Sequence, residues 1–214
     1  VLGDSVARIL RSAGYDVKVL NYVDDSGAQV ADLLVGFLYA GFSMDPPKGL
    51  KFDHYCGDVV YVGVNELYGV RPDLVEKQRS VLKAMEDPSS DTARVAREVT
   101  GRILKEQLKT CWRLGARYDC INFESQILEK GFWDTLFSEL KARGVARFVG
   151  EGRFEGCWIV EVEGEFEGEE KVLVRADGTA TYMAKDIPYA AWKLGLLPDR
   201  FSYAPYTSQP DGST

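Results

Sequence analysis

The sequence predicts an α/β domain, and three stretches carry that prediction. Residues 15–20 form a short β-like run leading into Asn21-Tyr22-Val23-Asp24-Asp25-Ser26-Gly27-Ala28-Gln29, after which an apolar helix is expected over 30–42. Residues 118–123 return to strand character, and Glu124-Ser125-Gln126 opens a second helical stretch. Residues 145–183 turn to β patterning around Asp177-Gly178, the favoured pair for a tight hairpin. Strand, polar turn and helix in succession bring functional groups to the carboxyl edge of a sheet, where open α/β folds bind ligands.

A chain of 214 residues, 45% of them hydrophobic, can bury one sizeable core or two small ones. The net charge of -7, from 33 acidic against 26 basic residues, opposes a surface that grips nucleic acid over its whole extent, and no DNA partner is expected. No apolar run reaches the roughly 20 residues of a membrane span, and no basic start precedes an apolar stretch. The expectation is a cytoplasmic protein with no membrane partner. Cys56, Cys111, Cys120 and Cys157 show no C-x-x-C spacing and fit a reducing compartment. His54 is the only histidine, so histidine-based triads lose their appeal, and no metal site is expected.

Taken in order, residues 1–13 read as a helix patterned by Val1, Val6, Ile9 and Leu10 and stopped by Gly14. That helix opens without a cap, and the chain closes in the turn Gln209-Pro210-Asp211-Gly212-Ser213-Thr214, so both ends read as internal to something longer. The helix over 30–42 carries Val30, Leu33, Leu34, Phe37, Leu38 and Phe42 around much of its circumference and should be covered on most sides. Pro46, Pro47 and Gly49 mark a loop over 43–57, and Pro72 suits the first turn of a helix ending near Met85. Asp91 is expected to cap a helix over 92–114 whose Arg94, Arg97, Glu98, Lys105, Glu106 and Lys109 make a solvated face. Phe132, Trp133, Leu136, Phe137 and Leu140 recur at helical spacing and form a core face. Strands are expected over 157–162 and 171–175, joined by an acidic connector over 164–170, with 179–183 as the second hairpin arm. Asp186 with Pro188 starts a helix running to Leu194 and ended by Gly195, and 201–206 is a last strand.

The turn over 21–29 admits two readings. Asp25 or Ser26 can cap the following helix while Gly27 relieves the backbone, which requires no ligand. Alternatively, Asn21, Asp24, Asp25, Gly27 and Gln29 line a polar site with helix-terminal N–H groups beside it. Glu124 and Asp186 also sit where a helix-start acid is cheap, and Tyr182 can simply pack. Two carboxylates and a phenol at strand ends nonetheless suit a guanidinium, whose planar fork accepts bidentate partners. The sequence has neither a G-x-x-x-x-G-K-[ST] phosphate loop nor a G-x-G-x-x-G after the first strand.

These segments together resemble the catalytic core of arginyl-tRNA synthetase, a class I aminoacyl-tRNA synthetase. Gly3-Asp4 resembles the continuation of the helix after that family's H-I-G-H motif. Residues 21–29 resemble its asparagine-tyrosine…aspartate…glycine…glutamine turn, and Phe123-Glu124-Ser125-Gln126 its glutamate-serine-glutamine segment. Asp177-Gly178-Thr179-Ala180-Thr181-Tyr182-Met183-Ala184-Lys185-Asp186-Ile187 is similar to its hairpin and helix start, and Ser208-Gln209 to a further segment. The resemblance implies a Rossmann-like core over 1–42, 98–124 and 176–214, a helical insertion over 43–97 and a mixed α/β insertion over 125–175. It implies arginine contacts from Glu124, Tyr182 and Asp186 with help from Gln209, and arginine, ATP with Mg2+, and tRNA as partners. The H-I-G-H segment would precede Val1 and a K-M-S-K-S-like loop would follow Thr214, so these residues alone are expected to be inactive. Two other readings stand beside it: a non-catalytic relative that binds arginine or a partner, and an unrelated α/β domain whose acidic turns are only caps.

Overall fold

The computed structural model describes residues 1–162, 169–197 and 201–214. Its chain divides into two compact units, Val1–Ser125 with Ala204–Thr214, and Gln126–Tyr203. The architecture is α/β, with helices in the majority.

In the first unit, β1 is Leu20–Val23 and pairs in parallel with β2, Cys120–Phe123, in the register Leu20↔Cys120 through Val23↔Phe123. The strand expected over 15–20 thus begins only at its last residue. Its pairing starts where Asp119 brings the two chains together: the Val19 carbonyl accepts the Asp119 and Cys120 N–H groups at 2.9 and 3.3 Å. The Asp119 carboxylate in turn accepts the Val19 N–H at 2.7 Å. Helix α1, Leu2–Ser12, is tied to the same place by Arg11, which bonds the Asp119 carboxylate at 3.0 Å and the Val17 carbonyl at 2.9 Å.

Parallel strands need a crossover, and here it is a layer of helices. After α2 (Ala28–Tyr39) come α3 (Phe52–His54), a π-helical stretch Tyr55–Tyr61, α4 (Val62–Tyr68), α5 (Pro72–Met85) and α6 (Asp91–Arg113). The loop expected over 43–57 therefore ends at Lys51, because Phe52, Tyr55 and Cys56 are buried at helical spacing and carry the chain back into the core. Pro72 occupies the first turn of α5, as its fixed φ favours. Ser90, not Asp91, caps α6: its hydroxyl accepts the Ala93 N–H at 3.0 Å, while Asp91 is the first helical residue and pairs with Arg94.

The centre of this layer is α2, whose Leu34 and Val35 are fully buried with Val60, Val64, Leu74 and Val99 from the surrounding helices. Gly36 is what lets the neighbours come so near. A Cβ there would lie 2.5 Å from Val60 Cγ1.

The second unit holds α8 (Phe132–Ala142), an antiparallel sheet in the order β3-β4-β5 (Ala146–Phe148, Trp158–Val162, Glu169–Val174) and α9 (Tyr182–Lys193); α7 (Glu124–Glu129) crosses the boundary between units. Of the acidic connector expected over 164–170, residues 164–168 lie outside the described residues, and Glu169 and Glu170 already belong to β5. Asp177-Gly178 does make the tight turn, with Gly178 at φ +84° and the Asp177 carboxylate accepting the Thr179 N–H and hydroxyl.

The second hairpin arm is shorter than expected. It is reduced to an Ala180 bridge to Val174, because Met183, Ala184 and Ile187 repeat at helical spacing and pack on Leu173 and Val174. Helix α9 accordingly starts at Tyr182, behind an extended Thr181, rather than at Asp186; Pro188 sits inside it, buried. No strand forms over 201–206. Phe201 instead buries its ring edge-on against Phe132 and Trp192, at 5.3 and 4.7 Å between centroids. Among the described residues no helix is long and apolar enough to cross a membrane.

Two glycine substitutions separate packing from propensity. Replacing a helical glycine by alanine favours the helix by about 1 kcal/mol, while overpacking a core costs roughly 1–3 kcal/mol. Gly101→Ala in α6 meets nothing within 4 Å and should raise the urea midpoint; Gly36→Ala meets stiff Val60 and should lower it. A Gly36→Ala protein as stable as Gly101→Ala would show that Val60 can move aside.

Candidate active site

Because β1 and β2 are parallel and in register, the chain leaves Val23 and Phe123 at the same edge of the sheet. The segments that follow are locked together by reciprocal side-chain bonds. Asp25 accepts the Ser125 N–H on Oδ1 at 2.8 Å and the Ser125 hydroxyl on Oδ2 at 2.7 Å. In the other direction, the Ser26 hydroxyl donates to Glu124 Oε2. Each turn's carboxylate is held by the other turn's serine.

This arrangement excludes the capping explanation for Asp25 and Ser26. The N-cap of α2 is Gly27, with no side-chain cap bond. The acid that serves the local backbone is Asp24, whose Oδ1 accepts the Ser26 and Gly27 N–H groups at 3.4 and 3.2 Å, an Asx turn. Gly27 is required here for space rather than for an unusual φ: a Cβ would sit 3.1 Å from Asp24 Oδ1, inside the contact that the turn needs.

The edge is both buried and acidic. Glu124 is 1% exposed and Asp25 5%, and Asn122 beneath them is completely buried. Burial pushes the Asp25 carboxyl above its ordinary value of 3.8; the bonds from Ser125 oppose that shift and the charge of Asp24 adds to it. Removed from water, a carboxylate attracts a cation far more strongly than it does at the surface. Asn21 is half-buried within β1, and Gln29 is exposed in the first turn of α2.

Tyr182 and Asp186 belong to the second unit. Both are exposed on α9, one turn apart, so their side chains share a helix face. Gln209 bonds the stretch that leads into β2. Its Nε2 donates to the Tyr118 carbonyl at 2.9 Å, and its Oε1 accepts the Tyr118 N–H at 3.2 Å and Trp112 Nε1 at 3.3 Å. Tyr118 lies ahead of β2, at the amino end of the strand whose carboxyl end leads to Glu124.

The serines were the residues that sequence reasoning passed over. Ser26 read as a cap and Ser125 as part of a motif without a role, although two Asp/Glu–Ser pairs at matching strand ends were the available signal. Among the described residues no group of three or more His, Cys, Asp or Glu could hold a metal ion.

Comparison with known proteins assigns the family. The family model described as tRNA synthetases class I (R), catalytic domain, matches residues 1–203. An arginine–tRNA ligase of Deinococcus radiodurans is 38% identical over 217 residues, covering 100% of this chain and 34% of that protein. One from Thermococcus sibiricus is 33% identical over 227 residues, covering 100% of this chain and 35% of its own. The solved Thermus thermophilus arginyl-tRNA synthetase matches with a TM-score of 0.74 at 34% identity, over 96% of this chain and 34% of that one. The Plasmodium falciparum arginyl-tRNA synthetase, at 17% identity and a TM-score of 0.64 over 90% of this chain and 30% of its own, shares the fold. The chain spans about a third of the length of the curated relatives it matches. With a family match over residues 1–203, this chain belongs to the class I arginyl-tRNA synthetase catalytic-domain family.

Proposed function

We propose that this chain is part of the arginine-activating core of a cytoplasmic arginine–tRNA ligase. The observation that carries this reading is the buried Glu124 carboxylate held by Ser26 at the carboxyl edge of a parallel strand pair. In the proposed reaction the arginine carboxylate attacks the α-phosphorus of ATP, the bond to the β-phosphate breaks, and pyrophosphate leaves. A hydroxyl of the terminal tRNA ribose then attacks the arginyl carbonyl and AMP leaves. Both steps are transfers that depend on positioning and charge stabilisation rather than on a protein nucleophile.

In this reading Glu124, Tyr182 and Asp186 are arginine contacts, and the turn over 21–29 scaffolds and lines the edge beside Glu124. Gln209, whose amide bonds the Tyr118 N–H and carbonyl, assists them in the same reading. A guanidinium meets two carboxylates through several N–H groups, whereas a lysine ammonium leaves acceptors unmet, which gives discrimination without editing. The Mg2+ that accompanies ATP finds no ligand cluster among the described residues; it enters with the nucleotide's phosphates, and no residue is assigned to it. We assign the Rossmann-like core to 1–42, 98–124 and 176–214, with insertions over 43–97 and 125–175. Four free cysteines accord with a cytoplasmic location.

One measurement checks this reading. In the native-length protein, Glu124→Gln preserves an acceptor for Ser26 but removes the charge, and should raise the arginine KM in ATP–pyrophosphate exchange roughly 10- to 100-fold. An unchanged arginine KM would refute the assignment of Glu124.

Asp25 gives a pH dependence of opposite sign to that of most paired carboxylates. Its folded value lies above the ordinary 3.8, so the folded state binds the proton more tightly than the unfolded chain does. Asp25 therefore contributes most to stability below that ordinary value, and the contribution is lost as pH rises through the folded value. Asp25→Asn cannot titrate, and its melting temperature should gain on wild type as pH is raised from the acid side of 3.8 towards neutrality. If the variant instead loses ground with rising pH, the Ser125 bonds outweigh burial.

A further inference from the structure

Asp32 is the only charged residue in α2, and it lies on the part of that helix that is otherwise apolar core. It is 5% exposed, and a single oxygen, Oδ1, accepts the Tyr68 hydroxyl at 2.6 Å and Gln78 Nε2 at 2.8 Å. Tyr68 is the last residue of α4 and Gln78 lies within α5, so three helices meet on this oxygen. Burial and the bond to Asp32 push the Tyr68 phenol above its ordinary value, and it remains a protonated donor. Packing alone does not account for a carboxylate in this place. A leucine would fill similar space without desolvating a charge, whereas an acid earns no net stability from burial unless its geometry is used.

The geometry has an evident use. Five residues before Asp32, about 7.5 Å along the axis at 1.5 Å per residue, stands Gly27, the N-cap of α2, directly after the serine that holds Glu124. A helix of this kind moves as a rigid rod, so whatever sets its rotation and axial position also sets where Ser26 stands. The apolar contacts of Leu34 and Val35 resist separation of the helices, but they are non-directional and define rotation poorly. Two hydrogen bonds of fixed direction from α4 and α5 define it well.

We propose that Asp32 is a positioning residue for arginine recognition, fixing α2 against Tyr68 and Gln78 so that Ser26 stays on the Glu124 carboxylate. The inference rests on the arginine-activating function proposed above.

The test is ATP–pyrophosphate exchange by the native-length protein with arginine varied. Asp32→Ala should raise the arginine KM about tenfold, the scale on which remote residues modulate a site, with kcat changed less than about twofold. Asp32→Asn keeps the accepting oxygen and should restore a KM near wild type. Tyr68→Phe, which removes only a hydroxyl, should raise KM in the same direction and serves if Asp32→Ala fails to fold. Ser26→Ala should raise KM too, and adding Tyr68→Phe to it should raise it little further, since both act on one contact.

A merely structural junction would lower kcat with the folded fraction and leave KM alone. That result, or penalties that multiply in the double variant, overturns the proposal. Glu124→Gln in the same series keeps the two readings apart. If its KM is unchanged, the arginine assignment fails; if its KM rises while Asp32→Ala and Tyr68→Phe keep the wild-type KM, only the positioning role fails.

Discussion

The reciprocal bonds between Asp25 and Ser125 and between Ser26 and Glu124 join turns about one hundred residues apart in sequence, and the first unit is organised to make them possible. Neither carboxylate would be stable at so low an exposure without donors aimed at it. Those donors arrive only if β1 and β2 pair in register, because a slip of one residue would turn each side chain to the opposite face. The helical layer between the strands is therefore part of the site. It closes a long loop whose entropy opposes strand pairing, and it does so by burying α2 among α4, α5 and α6.

The two units solve different problems with different sheets. The first uses a parallel pair, which needs long crossovers and leaves its carboxyl edge for chemistry. The second uses a local antiparallel sheet, β3-β4-β5, whose tight turn at Asp177-Gly178 hands the chain directly to α9. That short hand-over sets Tyr182 and Asp186 one turn apart at the start of a helix whose opposite side packs on Leu173 and Val174. A full second hairpin arm would have displaced Tyr182 into a strand, where a residue four positions later shares its face but lies roughly 13 Å away rather than one helical turn.

Neither the histidine nor Cys56 of this chain is placed as a nucleophile. Its one histidine is exposed and pairs at 3.8 Å with Asp58, and burial raises the Cys56 thiol to about 12, which removes it as a nucleophile near neutrality. In the proposed function, the acidic edge formed by Asp24, Asp25 and Glu124 holds a cationic amino acid while its carboxylate reacts. Gln209 also ties the chain together. Its side-chain amide pairs with both the N–H and the carbonyl of Tyr118, as a neighbouring strand would, and so returns the segment after the second unit to the start of β2.

The sequence by itself determined the class of the fold, the strand–turn–helix at Asp24, the helix from Pro72 to Met85, the hairpin turn at Asp177-Gly178 and, through ordered motifs, the family. Each of these follows from local propensity or from short strings whose spacing is intrinsic to the chain. Tertiary structure decided which atoms Asp25 and Ser26 serve, where α9 begins, that 201–206 is not a strand, and which backbone groups the Gln209 amide bonds. The physical reason is that each depends on partners distant in sequence, and only the packed chain brings Ser125 to Asp25, Leu173 to Ala184, Phe132 to Phe201 or Tyr118 to Gln209. The turn was legible as a motif; its bond to Glu124 was not, because about a hundred intervening residues must fold before the serine and the carboxylate meet.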